Sequence, residues 1–131
     1  MRAALLLLAL LPALGAQACP AGAARPIASL KELPHELLDV LGRFDKPRPR
    51  IADIGEKFNA TDIIFDDSPP GRRLVAGSAT QNCVELKVEF GGIGYRMELV
   101  EFQNTDRGWT LTKGGYDHPI PQKPRAAPPV R

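Results

Sequence analysis

An alternation of apolar and polar residues dominates the second half of the chain. Between residues 83 and 90 every second side chain is apolar and charged residues fill most of the positions between them. This period of two predicts a half-buried strand with one face toward the core. The apolar positions are Val84, Leu86, Val88 and Phe90. Gly91-Gly92-Ile93-Gly94 follows and predicts a turn, because glycine adopts positive φ without steric cost.

The predicted return strand changes phase along its length. Tyr95, Met97 and Leu99 lie on one parity, whereas Val100 and Phe102 lie on the other. A β-bulge near Leu99 would restore the phase, and a sheet covered on both faces at that end would also explain the pattern.

Further strands are predicted on both sides of this hairpin. Asp106-Arg107-Gly108 predicts a turn before a last strand at 109–113, in which we expect Trp109 to lie at the edge of the core. Before the hairpin, the sequence DIIFDDSPPGRRLVAGS predicts a short strand, a turn at Pro69-Pro70-Gly71 and another strand.

The first half of the chain has a helical period instead. Apolar residues recur there at steps of three and four, which places one apolar stripe along a helix. They are Leu30, Leu33, Leu37, Leu41 and Phe44. Ser29 and Glu32 can form a capping box, but Pro34 has no N–H to donate, so the sequence also allows the helix to begin at Pro34. Gly42 is the expected end of the helix.

A second, shorter helix is predicted from Ile51, Ile54 and Phe58, although Gly55 weakens it. Together these elements predict an α+β fold in which two N-terminal helices pack on one face of a four- to five-stranded antiparallel meander sheet. In architecture alone, this order resembles the small α+β modules of the bacterial envelope, such as the beta-lactamase-inhibitor-like and cystatin-like folds. A shared architecture carries no function over to this chain.

The first 18 residues have the three parts of a secretory signal peptide. Arg2 gives a positive start, an apolar stretch occupies 3–14, and Ala16-Gln17-Ala18 is a small-x-small cleavage site. The apolar stretch is shorter than the roughly 20 residues that a stable transmembrane helix needs. We therefore expect export and cleavage before Cys19, and no transmembrane helix in the mature chain.

Cleavage there predicts four segments. They are a signal peptide at 1–18, an extended lead at 19–28, an α+β domain at 29–115 and a proline-rich disordered tail at 116–131. The chain has 17 basic and 15 acidic residues, and Arg2 leaves with the signal peptide. Because the mature chain is then close to neutral, we expect no nonspecific binding to nucleic acid.

The two cysteines, Cys19 and Cys83, are an even number in a chain expected to reach an oxidising compartment. A disulfide is the simplest interpretation, and closing this loop would stabilise the fold by about 4 kcal/mol in the chain-entropy model. Cys83 lies on the polar parity of its strand, so the bond would cross the outer face or the edge of the sheet. Two alternatives remain. In the first, Cys19 is a lipid anchor, processed as in bacterial lipoproteins, although Ala16 and Gln17 depart from that pattern. In the second, Cys83 is a free, buried thiol that behaves as a small core hydrophobe.

Two groups of charged residues could contribute a binding site. Lys46, Arg48 and Arg50 alternate with prolines in the sequence DKPRPR and could contact a phosphate or peptidoglycan, but a solvated linker is the favoured interpretation. Asp66 and Asp67 could bind a cation, but the spaced acidic loop that calcium requires is missing from the sequence, so solvation of a turn is favoured.

Catalytic motifs are scarce. His35 lies on the predicted helix and His118 in the predicted tail, and they suggest no common site. Cys19 and Cys83 do not have the spacing of metal ligands, so neither a metal nor a cofactor is expected.

Carboxylates on the predicted sheet give the only candidate for hydrolysis. Glu85 and Glu89 share a strand face that Glu98 could oppose from the next strand. Lys87 and Arg96 lie among them, which favours charge pairing between strands, and we do not expect an enzyme.

Three functions follow from these features. The favoured one is a small periplasmic or secreted interaction module without catalytic activity, such as an inhibitor, an immunity protein or an envelope assembly factor, with a protein partner. The alternative is a small-ligand-binding protein with a cavity between helices and sheet, suggested by the small residues Ala76, Gly77 and Ser78. A hydrolase that uses Glu85, Glu89 and Glu98 is the third.

Overall fold

The structure, a computed structural model, describes Cys19 and residues 24–116. These residues form five β-strands, one short α-helix and one 3-10 turn, so the fold is mostly β with a minor helical part. None of the helices in this part of the chain has the length or the apolar content to cross a membrane. The predicted signal peptide and the predicted tail after Tyr116, including His118, lie outside the described residues.

The strands form one antiparallel sheet in which each strand pairs with the next one along the chain. They are β1 (Arg25–Ile27), β2 (Arg72–Ala79), β3 (Cys83–Phe90), β4 (Arg96–Thr105) and β5 (Gly108–Lys113). The predicted meander is confirmed, and it has five strands. β1 lies within the segment expected to be an extended lead and pairs with the end of β2.

The helical stripe of the sequence is divided into two short pieces. A 3-10 turn at Leu30–Glu32 is closed by the capping box of Ser29 and Glu32, and α1 occupies His35–Leu41 after Pro34. Proline cannot donate the hydrogen bond that would join them. Gly42 ends α1 at φ 74°, in the left-handed region that favours glycine.

The prediction of a second helix at residues 51–58 is wrong, because Ala52 forms an isolated β-bridge with β2 instead. The N–H of Ala52 donates to the carbonyl of Arg72 at 2.8 Å, and the carbonyl of Ala52 accepts from Leu74 at 3.0 Å. The buried carboxylate of Asp53 accepts hydrogen bonds from the Ser29 hydroxyl at 2.6 Å and the Leu30 N–H at 2.8 Å. After Asp53 the chain turns at residues 54–56, where the N–H of Glu56 donates to the Asp53 carbonyl at 3.1 Å. The described residues therefore contain one α-helix where the sequence predicted two.

The strand predicted within DIIF is also wrong. Ile63, Ile64 and Phe65 are not in a strand, and backbone polar groups of Ile63 and Phe65 contact side chains. The Asn59 amide donates to the Ile63 carbonyl at 2.7 Å, and the Ser68 hydroxyl accepts from the Phe65 N–H at 2.8 Å. Local side chains thus replace a neighbouring strand.

The apolar residues of the return strand change parity without the expected bulge, because those before Val100 are exposed on the outer face. The β3–β4 pairing is continuous, with Leu86 opposite Val100 and Lys87 opposite Leu99. Val100 therefore faces the core, whereas Met97 and Leu99 lie on the outer face and are 49% and 42% exposed. The register shifts lie elsewhere, within β2 and between β4 and β5.

The core lies between the inner face of the sheet and the helical pieces. Its members with at most 1% exposure include Leu30, Leu37, Leu41, Leu74, Val84, Leu86, Val88, Val100 and Phe102. Trp109 packs against this cluster from β5, at the core edge as expected. Tyr116, the first residue of the predicted tail, is buried in it, and its hydroxyl donates to the Leu41 carbonyl at 2.7 Å.

Candidate cationic binding cleft

A cleft of about 540 Å³ opens where the segment after α1 meets the ends of three strands. Five basic side chains and one carboxylate, that of Asp45, contribute to its lining. The basic residues are Lys46, Arg48, Arg50, Arg72 and Arg96. We call this site the cationic cleft. Three of its cations come from the DKPRPR sequence, and β2 and β4 supply the other two.

The proline-rich wall of the cleft is folded back on the end of α1. The Gly42 carbonyl accepts hydrogen bonds from the N–H of Arg50 at 2.9 Å and from that of Asp45 at 3.3 Å. The Arg50 guanidinium also forms an ion pair with Asp45. A Cβ on Gly42 would clash with the Arg50 side chain, so the glycine serves both the end of the helix and the wall of the cleft.

The opposite wall holds its arginines on aromatic rings. The guanidinium of Arg72 lies 4.8 Å from the ring centroid of Tyr116 and 5.4 Å from that of Phe90. That of Arg96 lies 4.2 Å from the Phe90 centroid. Stacking of this kind fixes a guanidinium in place, while its N–H groups, which lie in its own plane, remain able to donate to an anion.

Among the residues that the structure describes, two carboxylates contact cations of the cleft. Asp45 pairs with Arg50 inside the wall, and Glu98 accepts from Arg96 at 3.1 Å beside it. In the described part of the chain, the lining thus holds five basic residues and one carboxylate, although the formal net charge of the whole chain is only +2. Positive charge concentrated in a concave site raises the local concentration of anions.

An exposed apolar loop (Ile63–Phe65) borders the cleft. Its three side chains are 60%, 65% and 67% exposed, unusually high for large apolar residues. The Arg48 guanidinium donates to the Phe65 carbonyl at 2.7 Å and so connects the loop to the cleft. A second cleft of about 300 Å³, lined by Arg48 and Ile64 among others, continues the first one toward the loop.

Acidic side chains flank the apolar loop on both sides. They are Asp62, Asp66 and Asp67, and all three are exposed. Asp66 and Asp67 lie in a turn, where the sequence placed them.

The sheet register separates the three glutamates of the hydrolase hypothesis. Glu98 lies opposite Val88 and thus on the inner parity, whereas Glu85 and Glu89 lie on the outer one. Glu89 forms an ion pair with Arg73 at 2.8 Å. It also accepts a hydrogen bond from the Tyr95 hydroxyl, which raises the pKa of that phenol. The three carboxylates therefore do not converge on one point.

Cys19 and Cys83 form a disulfide on the outer face of the sheet, with their Cα atoms 5.6 Å apart. The pairing and the face are those predicted from the sequence. The two sulfur atoms lie within 4.8 Å of a carboxylate oxygen of Glu101, as metal ligands can. A thiolate, rather than a disulfide sulfur, is the form of cysteine that binds a metal, so in the oxidised protein this group does not form a thiolate site.

The other candidates from the sequence lie apart from the cleft lining. His35 is exposed, stacks on Phe44 at 4.8 Å and lies 3.2 Å from Asp39. Gly77 faces the core side of β2, where a Cβ would lie 2.8 Å from a Leu86 methyl carbon and 3.3 Å from the Ile27 Cβ. At Gly77 the small residue therefore allows close packing of β2 against β3 and β1.

The sequence pattern did not predict that Arg72 and Arg96 belong to one site. They are separated by 24 positions, yet β2 and β4 each begin at the same end of the meander, next to glycine-containing turns. The sequence signal that could have indicated this site is a basic residue at the first position of each of two strands, directly after a turn. Their shared aromatic contact, Phe90, ends β3 between them.

No protein-family model, no curated protein and no solved structure matches this chain. Its function is therefore inferred from the geometry of its own residues.

Proposed function

We propose that the protein is a small exported interaction module without catalytic activity, which binds an acidic segment of a protein partner in the cationic cleft. The concentration of five cations in one concave site carries the proposal. Carboxylates accept the paired N–H donors of arginine, and the ring-stacked Arg72 and Arg96 are already ordered for such contacts. Ordering before binding reduces the entropy lost when the complex forms.

The apolar loop supports a protein segment as the partner. Ile63, Ile64 and Phe65 extend the surface beside the cleft with apolar area that a small anion would not cover. Protein interfaces commonly combine an apolar patch with a charged rim. An anionic membrane would bring its own charge against Asp62 and Asp66, which flank the same loop, and this repulsion disfavours it.

Export rests on the signal peptide predicted at 1–18, and the disulfide is consistent with an oxidising compartment. We propose a periplasmic or secreted location for the mature chain, which begins at Cys19 without a lipid. The intact mass of the protein tests this proposal. One disulfide lowers the mass by about two daltons from the reduced value because two thiol hydrogens are lost. A mass increase of acyl size would instead make Cys19 an anchor.

Binding is tested with a fluorescent peptide of alternating glutamate and leucine. We expect binding at low ionic strength that weakens as salt is added, because exposed charges are screened. Lys46→Glu with Arg48→Glu should weaken it at least tenfold. The matched control is Lys31→Glu with Lys57→Glu, which makes the same change of charge at two exposed positions outside the cleft lining.

Equal losses of peptide affinity in the two double variants would mean that binding depends only on the net charge of the protein. That result would refute the cleft as the binding site. Inorganic phosphate and vesicles of phosphatidylglycerol are the comparison ligands. Phosphate binding as tight as peptide binding would make this a small-anion site, and vesicle binding that depends on Ile64 would make it a membrane site. Either result would overturn the peptide proposal.

A further inference from the structure

Glu101 is a buried carboxylate outside the cationic cleft. It is 4% exposed and lies on the outer face of the sheet, beside the disulfide. One of its carboxylate oxygens accepts hydrogen bonds from the Gln103 amide at 3.0 Å and the Thr112 hydroxyl at 2.9 Å. Its other oxygen accepts from the backbone nitrogen of Cys19 at 3.4 Å.

Charged groups face Glu101 from both neighbouring strands. Glu85 is its pairing partner on β3 and Lys113 its partner on β5. Burial raises the pKa of the Glu101 carboxyl, but the hydrogen bonds from Gln103, Thr112 and the Cys19 nitrogen, together with Lys113, outweigh burial and hold it below its usual value. Glu101 is therefore a carboxylate at neutral pH.

Removal of the predicted signal peptide changes the chemistry of the Cys19 nitrogen. Signal peptidase adds water across the bond from the Ala18 carbonyl carbon to the Cys19 nitrogen. Ala18 receives a carboxylate and leaves with the signal, and Cys19 receives a free α-amine. An ordinary α-amine has a pKa of about 7.7 to 8.0 and carries a positive charge below that pH. The amide donor that contacts Glu101 thus becomes an ammonium group with three N–H donors.

We propose that Glu101 is the internal counter-ion of the mature N-terminus, so that cleavage before Cys19 completes an ion pair between the new α-ammonium group and this buried carboxylate. The inference rests on the proposed export and cleavage but not on the cationic cleft. The disulfide to Cys83 holds Cys19 beside β3, so the ammonium group is retained next to Glu101. An N-acylated Cys19, as in a lipoprotein, has no ammonium group to pair.

The sign of the effect follows from the charges. A carboxylate at this distance favours the charged amine and raises its pKa in the folded protein. The resulting stabilisation is fully present below the ordinary amine pKa and is lost as the pH rises through the folded value. Lys113 repels the ammonium group and so opposes the rise in the amine pKa, whereas Glu85 attracts it and adds to the rise. Both residues lie on neighbouring strands, whereas Glu101 itself contacts the Cys19 nitrogen.

The test measures the pKa of the Cys19 α-amine in the oxidised mature protein, from the pH dependence of its reaction with acetic anhydride followed by mass spectrometry. We expect a pKa at least one unit higher in the wild type than in Glu101→Gln. Glu98→Gln, the same change on the inner parity of the same strand, should behave as the wild type. Equal amine pKa values in the wild type and Glu101→Gln would refute the ion pair.

A second measurement separates the ion pair from a purely structural role of Glu101. A chain that retains Ala18 before Cys19 keeps an amide at this nitrogen. It should melt at a lower temperature than the mature chain at pH 6, and the difference should disappear in the Glu101→Gln background. An equal difference in both backgrounds would overturn the proposal, as would a native protein whose mass shows an acylated Cys19 or a different first residue. Loss of peptide binding in cleft variants would leave it unaffected.

Discussion

In the sheet, Leu86, Val88 and Val100 have no exposed surface. Residues 43–71 contain no helix or strand, and outside the buried Ile51 and Ala52 they are held mainly by polar contacts. Arg43 forms a two-bonded ion pair with Glu56, at 2.9 and 3.0 Å. Two regions of one small domain therefore depend on different interactions. Apolar burial stabilises the meander through many interchangeable contacts, but the connecting segment depends on a few specific ones.

The difference bears directly on function, because the connecting segment supplies most of the cationic cleft and the whole apolar loop. A rigid sheet presents a loop whose conformation is fixed by hydrogen bonds to side chains. The exposed residues of the loop can change without disturbing the core, and binding residues in proteins commonly lie on such segments. The following substitutions probe this division between sheet and segment.

Val88→Asp should have the largest effect, a loss of more than about 3 kcal/mol in the free energy of unfolding, because it places an unpaired charge in the core. Lys87→Ala, one position away on the exposed outer face, should change it by less than about 0.5 kcal/mol. Urea denaturation measures both. Similar losses for the two variants would contradict the register of β3.

Cys83→Ser should lower the free energy of unfolding by about 2 to 4 kcal/mol, because the disulfide restricts the unfolded chain. Reduction of the wild type should lower the melting temperature by as many degrees as the substitution does. The melting temperature of the variant should not respond to reductant. Calorimetry with and without reductant provides the comparison. A wild type insensitive to reductant would mean that the bond contributes nothing to stability.

Asp53→Ala tests the connecting segment and should cost about 2 kcal/mol. The substitution leaves the N–H of Leu30, a buried residue, without its acceptor. Asp53→Asn keeps an acceptor oxygen and should cost less. If alanine and asparagine are equally harmful, the charge of Asp53 matters more than the hydrogen bond.

Glu56→Gln should show a pH-dependent loss of about 1 kcal/mol or less. The hydrogen bond from Arg43 and that from the Asp53 N–H lower the pKa of Glu56 to about 2 from an ordinary value of 4.5. The Glu56 side chain is about half exposed, so screening by water reduces the energy of the pair. A depressed carboxyl pKa stabilises the fold above the unfolded pKa, and the contribution is lost as the pH falls through the folded value. The wild type and the variant should therefore differ near pH 7 and converge near pH 2, as followed by thermal unfolding.

Ile64→Ser should have the smallest effect on stability, within about 0.5 kcal/mol, because its side chain is mostly exposed. The same variant should weaken binding of the glutamate–leucine peptide. A variant that is as stable as the wild type and binds as tightly would remove the apolar loop from the proposed interface.

The same division explains what could be predicted from the sequence. Strands β3 to β5 and their turns follow from the period of two, and Gly42 follows from its place after the apolar stripe. Residues 51–58 were predicted incorrectly because their conformation depends on distant partners of single residues, such as Ser29 for Asp53 and Arg72 for Ala52. Residues 63–65 were predicted incorrectly because nearby polar side chains bind their backbone in place of a neighbouring strand. No local periodicity records such contacts.

The candidate site was predictable only in its proline-rich part. Lys46, Arg48 and Arg50 are visible as a cluster in the sequence, but the favoured interpretation was a solvated linker. Arg72 and Arg96 join them only through the pairing of β2 to β3 and of β3 to β4. Glu101 was missed because a glutamate on an outer strand face is normally solvated, and here the disulfide, Thr112 and Gln103 cover it.

The meander topology has a consequence for the order of folding. Since each strand pairs with the next one along the chain, the pairings can form one after another as the polypeptide is synthesised from its N-terminus. The pairings from β2 to β5 close short loops and favour rapid folding, whereas β1 and β2 are joined by a long connection. Cys19 emerges early but must wait 64 residues for Cys83 at the start of β3. The disulfide therefore cannot form before the first residue of the central strand has been synthesised, and until then the N-terminal segment is not covalently attached to the sheet.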